Sequence, residues 1–213
     1  MATSALELET RKFATADLAR CHWDYRPMEA PRDAEDDRLS YQVAVVHAAT
    51  AEQLVALARA AGLKPMGLLP LPEVLKEAVD PARTQEQAVA LLDLGALATR
   101  VVILHRGEPV LFRTLGVGGQ LLTEELRTVM VPGQAAFTFS TEEAEELKRR
   151  HGLSHDTLSL ETEALVRDGR AVDLPLAQVG ETLRPLFERL VRELYSTIDY
   201  WRERSFDVPF GEV

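Results

Sequence analysis

Residues 90–104 read ALLDLGALATRVVIL: two apolar runs either side of a glycine, the second rich in β-branched residues, with Asp93 set into the first. A carboxylate among apolar residues is costly unless it is paired, hydrogen-bonded or bound to a metal. Asp93 therefore belongs either at an exposed turn or in a site. The pattern predicts a strand over 88–94, a tight turn at Gly95 and a returning strand over 99–104. Arg106-Gly-Glu108 reads as the next turn and 109–115 as a third strand, which together make an antiparallel meander. Backbone N–H groups at such a hairpin tip can cradle a phosphate. An aspartate at its start would repel phosphate but can hold Mg²⁺ or the water around it. Glycine lets the backbone approach closely, and Thr99 offers a hydroxyl. D-x-G alone equally describes a plain hairpin with a turn aspartate.

Upstream of the meander, 21–26 and 41–48 read as two strands flanking EAPRDAEDDR (29–38), a charged loop with no periodicity. Thr50 and Gln53 have the spacing of a capping box, with Leu54, Leu57, Ala58 and Ala61 as the apolar stripe of the helix that follows. Gly62 and Pro65 stop that helix, and a second short helix is expected over 71–79. Downstream, Gly116–Gly119 closes the meander and a helix is expected over 122–129. Ser140 and Glu143 cap another helix, through EEAEELKRR to Gly152. The last helix is predicted over 182–204, with Pro185 in its first turn. Leu183, Leu186, Phe187, Leu190, Val191, Leu194, Ile198 and Trp201 would lie on its buried face. Strands mixed with helices throughout place the fold in the α/β or α+β class.

The chain has 213 residues, 46% of them hydrophobic and 27% charged, with a formal net charge of −10, the composition of a soluble globular protein with a real core. That charge argues against a protein that reads a phosphate backbone. The single cysteine, Cys21, excludes an internal disulfide and reads as a small apolar residue of a reduced, cytoplasmic protein. No leader and no bilayer-length apolar run is expected from the sequence. The five histidines share no metal-ligand spacing; His151 and His155 are interrupted by Gly152. No nucleophile-elbow motif appears. Trp23 and Trp201 read as packing residues, and Lys148-Arg-Arg150 as a solvated helix C-terminus suited to the helix dipole.

Taken in order, D-x-G-x-x-x-T from Asp93, GGxxLT from Gly118, AExLK from Ala144 and RELYSTIDYWR over 192–202 resemble one family. It is the PilM family, the cytoplasmic actin-like proteins of type IV pilus assembly. FtsA of cell division and the cytoplasmic part of the secretion protein GspL are more distant relatives. VAVVHAATAEQLVALARAAGLKPMGLLPLPEVL (43–75) is similar to the PilM segment that returns from an inserted subdomain, so the resemblance spans roughly residues 20–204.

The resemblance implies an actin/hexokinase-like fold, here partial, with nucleotide held between two lobes. Residues 1–65 would be a remnant of the inserted subdomain plus its return segment, and 66–213 an actin-like second lobe. Asp93, Gly95 and Thr99 would form a phosphate loop, with Asp93 toward Mg²⁺. Gly118 and Gly119 would follow it, and Glu145 and Lys148 would grip the nucleoside. The implied cofactors are ATP and Mg²⁺, with hydrolysis weak or absent. The implied partner is the cytoplasmic tail of an inner-membrane pilus protein of the PilN type, which would place the chain at the inner face of that membrane. Trp23 and Tyr25 are candidate anchors for the tail. The pattern is incomplete: no D-x-G hairpin precedes residue 90, and no glycine-rich adenosine loop follows the last helix. The tip Ala96-Leu97-Ala98 lacks hydroxyls, and VPGQAAFTF (131–139) resembles an insertion. The expectation is a scaffold with an incomplete nucleotide site, in a fragment or shortened member of the family. The alternatives are an active ATPase or small-molecule kinase of the same fold, or an FtsA- or GspL-like scaffold.

Overall fold

In the computed structural model a 3₁₀ turn at Leu18–Arg20 leads into two stretches of β-branched and aromatic residues, then a helix that starts with no break. The structure describes residues 7, 9–12, 17–28, 41–133, 136–152, 161–167, 170–204 and 208–211, so the expected loop over 29–38 lies outside the described residues. The chain forms two units, Met1–Leu71 and Pro72–Val213.

In the first unit, β1 (Cys21–Pro27) and β2 (Tyr41–His47) pair antiparallel, from Cys21 opposite His47 to Pro27 opposite Tyr41. Helix α1 (Ala48–Ala60) leaves β2 directly, with His47 at its N-cap and no side-chain cap bond. The expected Thr50–Gln53 capping box does not form, because both residues already lie within the helix. The expected stripe is also corrected. Leu54 and Leu57 are 47% and 69% exposed, and the buried and half-buried residues are Ala48, Ala51, Val55 and Ala58. Small residues on this face let α1 lie against the two-stranded ribbon. The stop is as expected: Gly62 has φ +76°, and Gly62 and Leu63 donate their N–H groups to the carbonyls of Arg59 and Ala58. These are the paired bonds of a Schellman turn.

The second unit opens on the short helix α2 (Leu71–Leu75), which begins at the unit boundary and runs into a 3₁₀ turn at Lys76–Ala78. Then comes the meander: β3 (Val89–Leu94), β4 (Thr99–His105) and β5 (Glu108–Leu115), adjacent and antiparallel. Ala88, expected in β3, instead forms a parallel bridge with Phe210. The β4–β5 turn is Arg106-Gly107, both at positive φ (53° and 76°), as a two-residue type I′ hairpin requires. Arg106 and Gly107 donate their N–H groups to the carbonyl and hydroxyl of Thr84, which fixes that turn.

Helix α3 (Gly119–Glu125) starts earlier and ends earlier than the expected 122–129. Thr128–Val129, placed in that helix by sequence, is strand β6, paired with β7 (Phe137–Thr138). Val131, Phe137 and Phe139, on either side of and within this pairing, are buried in the core of the unit. Helix α4 (Thr141–His151) carries the expected capping box: Ser140 Oγ accepts from Glu143 N–H, and Glu143 Oε2 accepts from Ser140 N–H. A hairpin not expected from sequence follows, β8 (Thr162–Arg167) with β9 (Arg170–Pro175).

Helix α5 runs Leu176–Arg202, so Pro185 lies inside it rather than in its first turn. Its N-terminal part enters a core of Leu126, Val129, Phe137, Leu147, Leu174, Val179 and Leu183. Its C-terminal part places Trp201 against Ala88 and Ile103, with Phe210 edge-on at 4.9 Å. Val191, expected on the buried face, is 46% exposed. Leu183 is 1% exposed. Its replacement by aspartate would lose that burial and leave an unpaired carboxylate, so Leu183→Asp is expected to destabilise by about 3 kcal/mol or more. Thermal melting of purified wild type and variant checks this; an unchanged midpoint would contradict the packing of α5.

Candidate functional site

The turn between β3 and β4 closes with Gly95 donating its N–H to the Ala98 carbonyl. The chain then comes back under this tip. Gly119 and Gln120 donate their N–H groups to the carbonyls of Gly95 and Ala96 at 3.0 and 2.8 Å. Thr99, 1% exposed, donates its hydroxyl to the Val117 carbonyl at 2.7 Å. Gly118 lies directly beneath: a Cβ built there would sit 2.5 Å from Ala98 N and Leu97 C. No side chain fits without moving backbone, which is the physical reason for glycine at 118.

Gly119 opens α3 beside α4, whose residues Glu145 and Lys148 share a face. Lys148 Nζ donates to the Gly119 carbonyl and the Thr123 hydroxyl, both at 2.9 Å, and to Glu145 Oε2. Thr123 Oγ1 in turn donates to Glu145 Oε2 at 2.6 Å, and Arg149 reaches Glu145 Oε1 at 3.1 Å. The hydrogen bonds from Lys148 and then Thr123 hold the Glu145 carboxyl down at about 2. A cavity of about 560 Å³ opens over this cluster, lined by Leu94, Gly95, Ala96, Gly119, Gln120, Thr123, Thr141, Glu142, Glu145 and Lys148. Its size falls in the range of small-molecule sites.

Gly95, Gly119, Glu145 and Lys148, all named from sequence, thus line one cavity, whereas Asp93, Thr99 and Gly118 do not. Thr99 and Gly118 act one step back, holding the tip in place. Asp93 lies opposite Arg100 across the β3–β4 ladder, and Arg100 Nη1 donates to Asp93 Oδ2 at 3.0 Å. Sequence reasoning missed Arg100, Thr123 and Gln120. Arg100 stands at the register position facing Asp93 across a hairpin, and Thr123 one helical turn after Gly119, so pairing rules alone carried a signal for both.

Trp23 and Tyr25 lie in the first unit, on one face of the β1–β2 ribbon. Their rings are 6.1 Å apart, and the Tyr25 ring meets that of Tyr41 edge-on at 5.8 Å. Both are half-buried, and Val45, opposite Trp23, is 39% exposed.

Comparison with known proteins gives one family and one fold. The model of the type IV pilus assembly protein PilM family matches residues 24–166. A chain of a solved PilM–PilN type IV pilus biogenesis complex matches 94% of this chain with a TM-score of 0.67 at 20% identity, over 51% of its own length. MreB5 of Spiroplasma citri bound to AMPPNP matches 72% of this chain with a TM-score of 0.55 at 15% identity, over 48% of its length. The fold is actin-like, and the chain spans about half the length of the structures it matches.

The Glu145 cluster gives a pH signature. An unfolded carboxyl at its ordinary value of 4.5 takes up its proton before the folded one at about 2. The stability from this cluster is then complete above about 4.5, falls as pH drops from 4.5 toward 2, and is gone below. The melting difference between wild type and Glu145→Gln is expected to be largest at neutral pH and to close across that window. A difference independent of pH would contradict the cluster.

Proposed function

This chain belongs to the type IV pilus assembly protein PilM family, and on that premise we propose that it is a scaffold on the cytoplasmic side of the inner membrane. In this reading it holds the cytoplasmic tail of a PilN-type pilus membrane protein. The observation that carries the proposal is the match of almost the whole chain to one half of a protein from a PilM–PilN complex. None of the described helices is long and apolar enough to cross a membrane, so membrane association would come through the partner.

The surface we assign to the tail is the aromatic face of the β1–β2 ribbon. Tyr25 packs against both Trp23 and Tyr41, and rigid aromatics with one side open are effective anchors for an extended peptide. The net charge of −10 favours a basic tail, which would associate faster at low salt.

The cavity beneath the β3–β4 tip is proposed to receive an adenine nucleotide, with Glu145 and Lys148 toward the nucleoside. Two features support this: the cavity lies where the phosphate-loop resemblance begins, and an actin-like match, MreB5, is bound to AMPPNP. The nucleotide would be structural rather than turned over.

The test is calorimetry of the purified chain with a synthetic peptide of the tail encoded beside it. Binding by wild type is expected, weakened about tenfold or more by Trp23→Ala and by Tyr25→Ala. No binding by a well-folded wild type would overturn the scaffold proposal. Binding indifferent to both substitutions would move the tail to another surface.

A further inference from the structure

Asp93 is the residue that the phosphate-loop resemblance offers to Mg²⁺, and its surroundings do not suit that ion. Mg²⁺ is held by one or two carboxylates free to take it or its waters, together with substrate phosphates. The Asp93 carboxylate is instead engaged by the Arg100 guanidinium at 3.0 Å, with both side chains about one-third exposed (34%). Among the described residues no cluster of three His, Cys, Asp or Glu side chains is placed to hold a metal. A divalent cation beside Asp93 would have to displace Arg100 or share its neighbourhood with a like charge.

Arg100, like Asp93, is not among the residues lining the cavity, but it borders the cavity at Gly95. Arg100 Nη1 lies 3.0 Å from the position a Cβ on Gly95 would take, and Gly95 lines the cavity. The guanidinium therefore sits at the base of the hairpin tip, held in place by Asp93 directly across the ladder. Lys148, the cation on the other side of the cavity, already donates to three acceptors. Arg100 donates through Nη1 to a single carboxylate oxygen, and a guanidinium carries five N–H donors. It has donors to offer an incoming oxyanion, and planar guanidinium groups suit phosphate oxygens well.

Resting on the reading of this cavity as a nucleotide site, we propose that Arg100, positioned by Asp93, takes the place of the metal. The chain then binds the phosphates of a nucleoside di- or triphosphate without Mg²⁺. Asp93 is a positioning residue in this arrangement, and it touches neither ligand nor ion.

The experiment is calorimetry of the whole chain with ATP, in excess Mg²⁺ and again in EDTA, with adenosine as the control lacking phosphate. Wild type is expected to bind ATP within about threefold in the two conditions and more tightly than adenosine. Charge-assisted hydrogen bonds of this kind carry about ten- to a hundredfold in affinity, so Arg100→Ala is expected to lose about tenfold or more in EDTA. Arg100→Lys should recover part of that, and Asp93→Asn, which weakens the hold on Arg100, should lose a similar share of ATP affinity in Mg²⁺ and in EDTA. ATP binding abolished by EDTA and by Asp93→Asn would overturn the proposal and restore Asp93 as the metal's residue, leaving the nucleotide site intact. Equal affinity for ATP and adenosine would also overturn it, since the phosphates would then be unheld. Absence of ATP binding by folded wild type in both conditions would overturn this proposal and the nucleotide reading together. Melting curves establish that each variant is folded, and the wild-type comparison of Mg²⁺ with EDTA stands without any variant.

Discussion

The second unit turns on one close approach, of the Ala96–Ala98 tip onto Gly118. Two backbone chains meet there with no room for a Cβ: one built on Gly118 would lie 2.5–2.6 Å from three backbone atoms of the tip. The contact is closed by two amides, from Gly119 and Gln120, and by the buried hydroxyl of Thr99. What depends on it is the relation between the meander and helices α3 and α4. The tip supplies one wall of the cavity, α3 and α4 the others, and the contact at Gly118 sets how they face each other. A glycine that looks like a ligand contact in a motif is here a contact between two pieces of backbone.

Local signals with a single physical reading were legible in the sequence. The three-stranded meander, the capping box at Ser140 and the Schellman stop at Gly62 each follow from residues adjacent in the chain, and each formed. What sequence misplaced depended on contacts from elsewhere. Helix α1 takes its start from the end of β2, so Thr50 caps nothing, and close packing favoured an alanine stripe over the leucines at 54 and 57. Helix α5 reaches back to Leu176, where its backbone N–H meets the Glu161 carbonyl, and overrides the usual preference for Pro185 in a first turn. The burial of Val131, Phe137 and Phe139 was not legible because their neighbours in the core, such as Leu174 and Val179, lie far along the chain.

The site divides in the same way. Gly95, Gly119, Glu145 and Lys148 were legible because their motifs fix both residue type and spacing, and they converge on one cavity. The partners of Asp93 and Thr99 were not, because only folding supplies them, Arg100 for the first and Val117 for the second. An aspartate with no facing cation and an aspartate bonded to a facing arginine look alike in a motif. The difference lies in the register of one hairpin.

The measurement that bears most directly on this account is amide hydrogen exchange at Gly119 and Gln120 in the native protein. If the tip is docked as described, both N–H groups are held by the Gly95 and Ala96 carbonyls, and both should exchange only through opening of the second unit, alongside buried amides of β4. Gly118→Ala should expose the two together while β4 stays protected, since the substitution lifts the tip without touching the centre of the meander. Rapid exchange at Gly119 and Gln120 in the wild type, or protection unchanged by Gly118→Ala, would contradict the contact on which the cavity rests.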